Sequence, residues 1–378
     1  MSDPVASQVL YDELARHIIR HFYHPDLEAL RVILAAVHAH YSGGDPVWLF
    51  VIGPAGSGKT SIAINCISAL PDVQVASDLT PRSFLAGKAG KSSSTLLNKK
   101  SIILAFKDFT TMVSKREEHQ KEIIATLREI YDGQISYRTS EAYRKWEGKA
   151  TVIAAVTPAI ERAWSIHRDL GERFGQVRWQ NTKKPTEAAR MARAQLGHEK
   201  DVAAMMRAMT QDVFQAANKE PAAMTEAQGE RIDAAATLIA NLRRNVIRDS
   251  SSGRPIIDIP PAEEPTRLAK GLATIACHHA ALFGRDQVEG KDMQAAMRSA
   301  LDSIPAARLA ILQAIPGEIP VAAREIREIS GLPKNAVQWH TDELEALEVL
   351  KLAQTLDGER ECSFTKDFDT LWSGSGLG

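Results

Sequence analysis

The run Gly53-Pro54-Ala55-Gly56-Ser57-Gly58-Lys59-Thr60 constrains this chain more than any other stretch. It fits the phosphate-binding pattern G-x-x-x-x-G-K-[ST] at every fixed position. Before it, Val47-Trp48-Leu49-Phe50-Val51-Ile52 is apolar, β-branched and aromatic, the pattern of a buried strand. After it, Ser61 to Leu70 reads as a helix. Glycines let the backbone turn its N–H groups toward an anion, and the following helix adds its positive end. Lys59 supplies a mobile charge for the β- and γ-phosphates, and the Thr60 hydroxyl can ligate Mg²⁺. The expected ligands are ATP and Mg²⁺, with Gly53 to Thr60 as the binding residues.

The rest of the composition bounds the context. A chain of 378 residues has room for two or three domains. A net charge of −1 excludes a generally basic nucleic-acid coat, so any DNA contact must come from local patches. Cys66, Cys277 and Cys362 lie far apart, without metal-ligand spacing or a disulfide framework. No run approaches a membrane span and no apolar signal core is present, so the expectation is a cytoplasmic protein without membrane contact.

Helical periodicity over 8–41 closes at Gly43-Gly44-Asp45-Pro46 and predicts an N-terminal helical unit over 1–45. His17, His21 and His24 share one face of it, but their spacing matches no metal motif. From 46 to 180, strand-like runs at 47–52, 73–77, 101–106, 151–156 and 175–179 alternate with helical ones. That alternation predicts an α/β core, a parallel sheet covered by helices. Residues 181–303 are alanine-rich, charged and helical. Residues 304–372 form a separate C-terminal unit, and 373–378 read as a disordered tail.

A second motif supports the first. Ser101-Ile102-Ile103-Leu104-Ala105-Phe106-Lys107-Asp108 is an apolar strand ending in a carboxylate, as Mg²⁺-bound water requires. Multimeric ATPases usually end this strand in two acids; here Asp108 stands alone, after Lys107 and before Phe109. Either Asp108 holds the metal and the base lies elsewhere, or Asp108 is the base and the metal shell lacks its acid.

From about Val47 to Ser303 the order of features resembles the AAA+ ATPases, in the branch containing the minichromosome-maintenance helicases. On that register Lys107 stands for the metal-shell aspartate and Asp108 for the catalytic glutamate, which implies weakened hydrolysis. Gln134-Ile135-Ser136-Tyr137-Arg138 and Lys145-Trp146-Glu147-Gly148-Lys149 look like the arms of the family's DNA-touching pore hairpin, with Arg138, Arg144 and Lys145 as candidate phosphate contacts. Thr157, after the strand Thr151–Val156, takes the position of the polar sensor. In Leu170-Gly171-Glu172-Arg173-Phe174 the resemblance makes Arg173 the arginine finger that reaches a neighbouring subunit's nucleotide. In Pro265-Thr266-Arg267-Leu268-Ala269 it makes Arg267 the second sensor, on a helical lid that 181–303 would form in enlarged version. The resemblance therefore implies a ring homo-oligomer, a hexamer, with Asp108, Thr157, Arg173 and Arg267 as the catalytic set.

Residues 304–372 read as three helices and a short hairpin, and resemble a winged helix-turn-helix. Lys334, Asn335 and Gln338 on the third helix are its candidate DNA contacts. This segment holds 7 Lys+Arg against 12 Asp+Glu, so docking to a protein is as consistent with its charge as DNA binding. The acid-free stretch 79–107, with Arg82, Lys88, Lys91, Lys99, Lys100 and Lys107, is a better basic segment. Together these features predict an ATP-binding AAA+ ATPase acting slowly as a DNA-associated motor or loader. The alternative is a nucleotide-gated signalling or defence switch whose winged helix binds protein.

Overall fold

The structure is a computed structural model that describes residues 6–76, 84, 96, 99–111, 115–138, 143–162, 173–180, 184–249, 254–356 and 358–377. Most of the acid-free stretch, including Arg82, Lys88 and Lys91, lies outside the described residues, as do Leu170 to Glu172. The chain divides into two compact units, Met1–Met224 with Thr274–Ala296, and Thr225–Ala273 with Met297–Gly378.

The first unit is built on a parallel sheet. In chain order its strands are β1 (Trp48–Ile52), β2 (Val73–Ala76), β3 (Ser101–Phe106), β6 (Lys149–Val156) and β7 (Phe174–Arg178), with the hairpin β4 (Gln134–Arg138) and β5 (Tyr143–Glu147) standing apart. The order across the sheet is β2-β3-β6-β1-β7, and every neighbouring pair is parallel. All five residues of β1 are buried, as an apolar central strand covered on both faces must be. On one face Phe50 stacks on Phe174 with ring centroids 3.9 Å apart. Phe106, Phe109 and the helix Glu117–Tyr131 complete that layer through Ile123, Leu127 and Ile130. Each such ring contributes about 2–3 kcal/mol by leaving water. Helix Leu27–His38, capped by Asp26 on Ala29 N–H at 3.0 Å, packs against β1 and β7.

Three expected boundaries shift within this unit. Residues 1–45 do not stand apart: helix Ala6–His21 packs along helix Glu199–Ala216, and both belong with the sheet. The helix after the glycine-rich loop opens as wide π-type turns over Thr60–Ile64, with Asn65 N–H bonded to Thr60 O. It continues over Asn65–Ile67 and tightens at Ser68 and Leu70 into i→i−3 bonds rather than running regularly to Leu70. The expected hairpin is present, but its second arm begins at Tyr143. Gly148 joins it to β6 so closely that a Cβ there would sit 2.3 Å from Lys100 O.

The second unit combines helices Glu226–Leu242, Ala306–Leu312, Ala323–Ser330 and Lys334–Ala346 with two small sheets. One pairs β8 (Ile247–Arg248) with β9 (Ile256–Asp258). The other orders β10 (Val321–Ala322), β12 (Arg360–Phe364) and β11 (Leu350–Gln354) as β10-β12-β11. Its polar core is Arg308, buried, which donates to Glu343 Oε2 at 3.1 Å and to the carbonyls of Leu242 and Arg244. Glu343 also accepts from Trp339 and His340. Asp342 pairs with Arg360. Two of the acids on the third helix are therefore neutralised by partners in this unit. The tail is not disordered at its start: helix Lys366–Ser375 buries Trp372 and Ser375 and packs on Glu226–Leu242. Gly376 in the left-handed region ends it, and Leu377 is buried. Alanine-rich 181–303 is likewise split: helices Pro185–Ala194 and Glu199–Ala216 belong to the first unit and Glu226–Leu242 to the second.

Candidate functional site

In a parallel sheet all strands end at one edge, and their C-terminal loops meet there. Here the loop after β1, Lys107-Asp108 after β3 and Thr157 after β6 converge. Strand β6 lies between β3 and β1, so Thr157 sits between Asp108 and the glycine-rich loop. Backbone bonds fix this edge. Gly53 N–H donates to Val156 O at 3.0 Å, and Phe109 N–H to Ala155 O at 2.8 Å. Thr157 N–H donates to Thr110 Oγ1 at 2.8 Å.

The loop owes its shape to its glycines. Gly56 and Gly58 adopt φ of +77° and +88°, a region costly to any residue with a Cβ. At Gly53 an added Cβ would meet Ser57 Oγ and Trp179 Cβ at 3.1 Å. Trp179 Nε1 donates to Ser57 O at 3.0 Å and holds the loop from the β7 side. Lys59 is buried and folds back, its ammonium donating to Pro54 O at 2.9 Å. Burial lowers its pKa, and the nearby Asp108 carboxylate opposes that shift. The Ser57 hydroxyl is buried without a hydrogen-bond partner. Among the described residues the hydroxyl has no partner and the ammonium bonds only a carbonyl, which suits the cradle to an anion.

The cradle opens onto a cleft of about 1130 Å³. The glycine-rich loop, Lys107, residues 21–25 at the end of the first helix, and the helices Pro185–Ala194 and Glu199–Ala216 line it. Asn65 anchors the last of these: its amide donates to Ala203 O at 3.2 Å and accepts from Arg207 at 2.7 Å.

The oxygens available to a divalent cation are few. The Thr60 hydroxyl donates to Lys107 O at 3.3 Å. Asp108 Oδ1 accepts Thr110 N–H at 2.9 Å. One hydroxyl and one carboxylate are a sparse protein share for Mg²⁺, which would take its remaining oxygens from phosphate and water, and Lys107 puts a competing cation on the same cleft.

The other expected residues lie elsewhere. Arg173 precedes Phe174, which pairs with Trp48 at the start of β1, so Arg173 sits at the sheet edge opposite the loop. A five-residue strand separates the two, about 17 Å. Its guanidinium lies over Tyr131 at 5.3 Å and reaches Asp132 at 3.5 Å. Arg267 is exposed in the first turn of helix Thr266–Leu282, within the second unit. On the hairpin, Lys145 is exposed and paired with Glu147, Arg144 is half-buried, and the Arg138 side chain is outside what the structure describes. Lys334, Asn335 and Gln338 are exposed on the third helix of the second unit. Sequence reasoning missed Trp179 and Arg207; both act through long-range contacts that leave no local pattern.

Comparison with models of known protein families finds no match, and comparison with curated proteins finds none either.

Proposed function

We propose that the chain is an ATP-binding protein of the AAA+ type that hydrolyses ATP slowly and works as a ring on DNA. The observation that carries this is the convergence of the Gly53–Thr60 loop, Asp108 and Thr157 at one sheet edge, with Lys59 folded into the loop. In this reading the loop N–H groups and Lys59 bind the phosphates. In the same reading Asp108, at the end of β3, accepts a proton from the attacking water, and Thr157 orients that water or a γ-phosphate oxygen. Arg173, remote from its own loop, acts on a neighbouring subunit's nucleotide and stabilises transition-state charge there. Arg267 would contribute as second sensor. A second reading is favoured by Lys107: with an ammonium beside the single acid, turnover is weak and the protein acts as a nucleotide-gated switch whose second unit, of winged-helix type, docks protein.

The test is ATP turnover with and without single- and double-stranded DNA. DNA-stimulated turnover supports the motor. ATP binding with turnover that DNA leaves unchanged supports the switch. No ATP binding contradicts both.

A further inference from the structure

Lys107 places an ammonium at the tip of β3, beside the phosphate cradle. Its side chain is exposed and lines the same cleft as the loop. Its backbone is tied to the cradle, because its carbonyl accepts the Thr60 hydroxyl and its N–H donates to Ala76 O at 3.2 Å. Among the described residues the structure records no carboxylate on its ammonium. The cleft lining leans the same way: Lys107 and Arg207 face it against Glu199 alone, and Glu199 Oε2 accepts Gly197 N–H at 2.9 Å.

We propose that Lys107 is a second phosphate-binding cation, so that this site holds a nucleoside triphosphate without a divalent cation bridging it to the protein. The proposal rests on the nucleotide reading above and replaces its metal requirement. The charge balance argues for it. Lys59 and Lys107 bring two ammoniums, and Asp108 brings one carboxylate that the Thr110 N–H already engages. A triphosphate is a polyanion and gains from both cations. A divalent ion at the same place would be repelled by Lys107 and would compete with it for the same phosphate oxygens. Lysine suits the role, being a compact point charge on a flexible stem with three donors.

The experiment is calorimetric titration of ATP into the full chain, in excess Mg²⁺ and in EDTA. The parent's Kd should differ by less than about threefold between the two buffers. Lys107→Ala should weaken binding in EDTA by at least about tenfold, the loss of a charge-assisted phosphate contact. Lys107→Asp, which supplies the missing acid, should bind at least about tenfold tighter with Mg²⁺ than without it. Lys107 is exposed, so these changes leave the core intact, and the parent comparison needs no variant at all. A parent that binds ATP tenfold or more tightly with Mg²⁺ than in EDTA overturns the proposal and leaves the nucleotide reading standing. A folded parent that binds ATP in neither buffer overturns both.

Discussion

At the scale of single residues, the distinction between binding and turnover falls on Asp108. In the proposed reading Lys59 and the loop N–H groups hold phosphates, whereas Asp108 is the acid assigned to activate water. Asp108→Asn is therefore expected to abolish ATP turnover while changing the ATP Kd by less than about threefold. A steady-state phosphate-release assay checks it, and turnover at the parent rate would remove Asp108 from the site. Histidines give a second prediction. His38 Nδ1 meets His278 Nδ1 at 3.1 Å, and His278 Nε2 meets Ser42 Oγ at 3.1 Å. His40 bonds Thr151 and Ser101. Burial lowers the His38 and His40 pKa values to about 4. Burial, then His38 and Lys149, lowers His278 to about 3. Folded values below the unfolded 6.5 mean that the unfolded chain binds more protons between pH 4 and 6.5, so stability falls as pH drops through that window. Each pH unit by which a folded value is lowered corresponds to about 1.4 kcal/mol. Thermal unfolding from pH 7 to 4.5 should show a falling Tm, and His278→Gln should flatten the slope. A Tm independent of pH over that range would show that these imidazoles are not held neutral by the fold.

At the scale of elements, the most polar junction is Arg308 with Glu343, which ties helix Ala306–Leu312 to helix Lys334–Ala346. Glu343→Ala leaves a buried guanidinium without its counter-charge, and the expected loss is about 3–5 kcal/mol. Urea unfolding measures it; a loss under about 1 kcal/mol would mean that the carbonyls of Leu242 and Arg244 suffice. This junction also marks a limit of sequence reading. Counting charge made the third helix look repulsively acidic, whereas Glu343 is consumed internally and Asp342 is held by Arg360. Strands were legible because continuous apolar runs have few alternatives: β3 was read at its observed bounds, and β1 and β7 within one residue. Ser373-Gly374-Ser375-Gly376 was misread because small polar residues look unstructured, and nothing local says that Trp372 and Leu377 bury themselves beside them. The turn of the glycine-rich loop was legible, since Gly56 and Gly58 serve a local backbone need. Trp179 and Arg207 were not, since each acts across more than a hundred residues of chain.

For the whole molecule, the position of Arg173 sets the expectation. It lies at the sheet edge away from its own loop, engaged with Asp132 and Tyr131, so any role on phosphate must be played on another copy. Arg173→Ala and Lys59→Ala proteins should each be inactive alone and regain activity when mixed, because a mixed ring contains composite sites with both residues. Mixtures that co-assemble yet stay inactive at every ratio would count against action in trans. No described helix is long and apolar enough to cross a membrane. Every level of this account depends on the Gly53–Thr60 loop holding a nucleotide, and one measurement addresses that directly: calorimetric titration of ATP into the parent and into Lys59→Ala. The parent should bind one ATP per chain, and the variant should lose affinity by at least about tenfold, since the phosphates lose their charge partner inside a preformed cradle. Equal affinity in the two proteins, or no heat from the folded parent, would contradict the account.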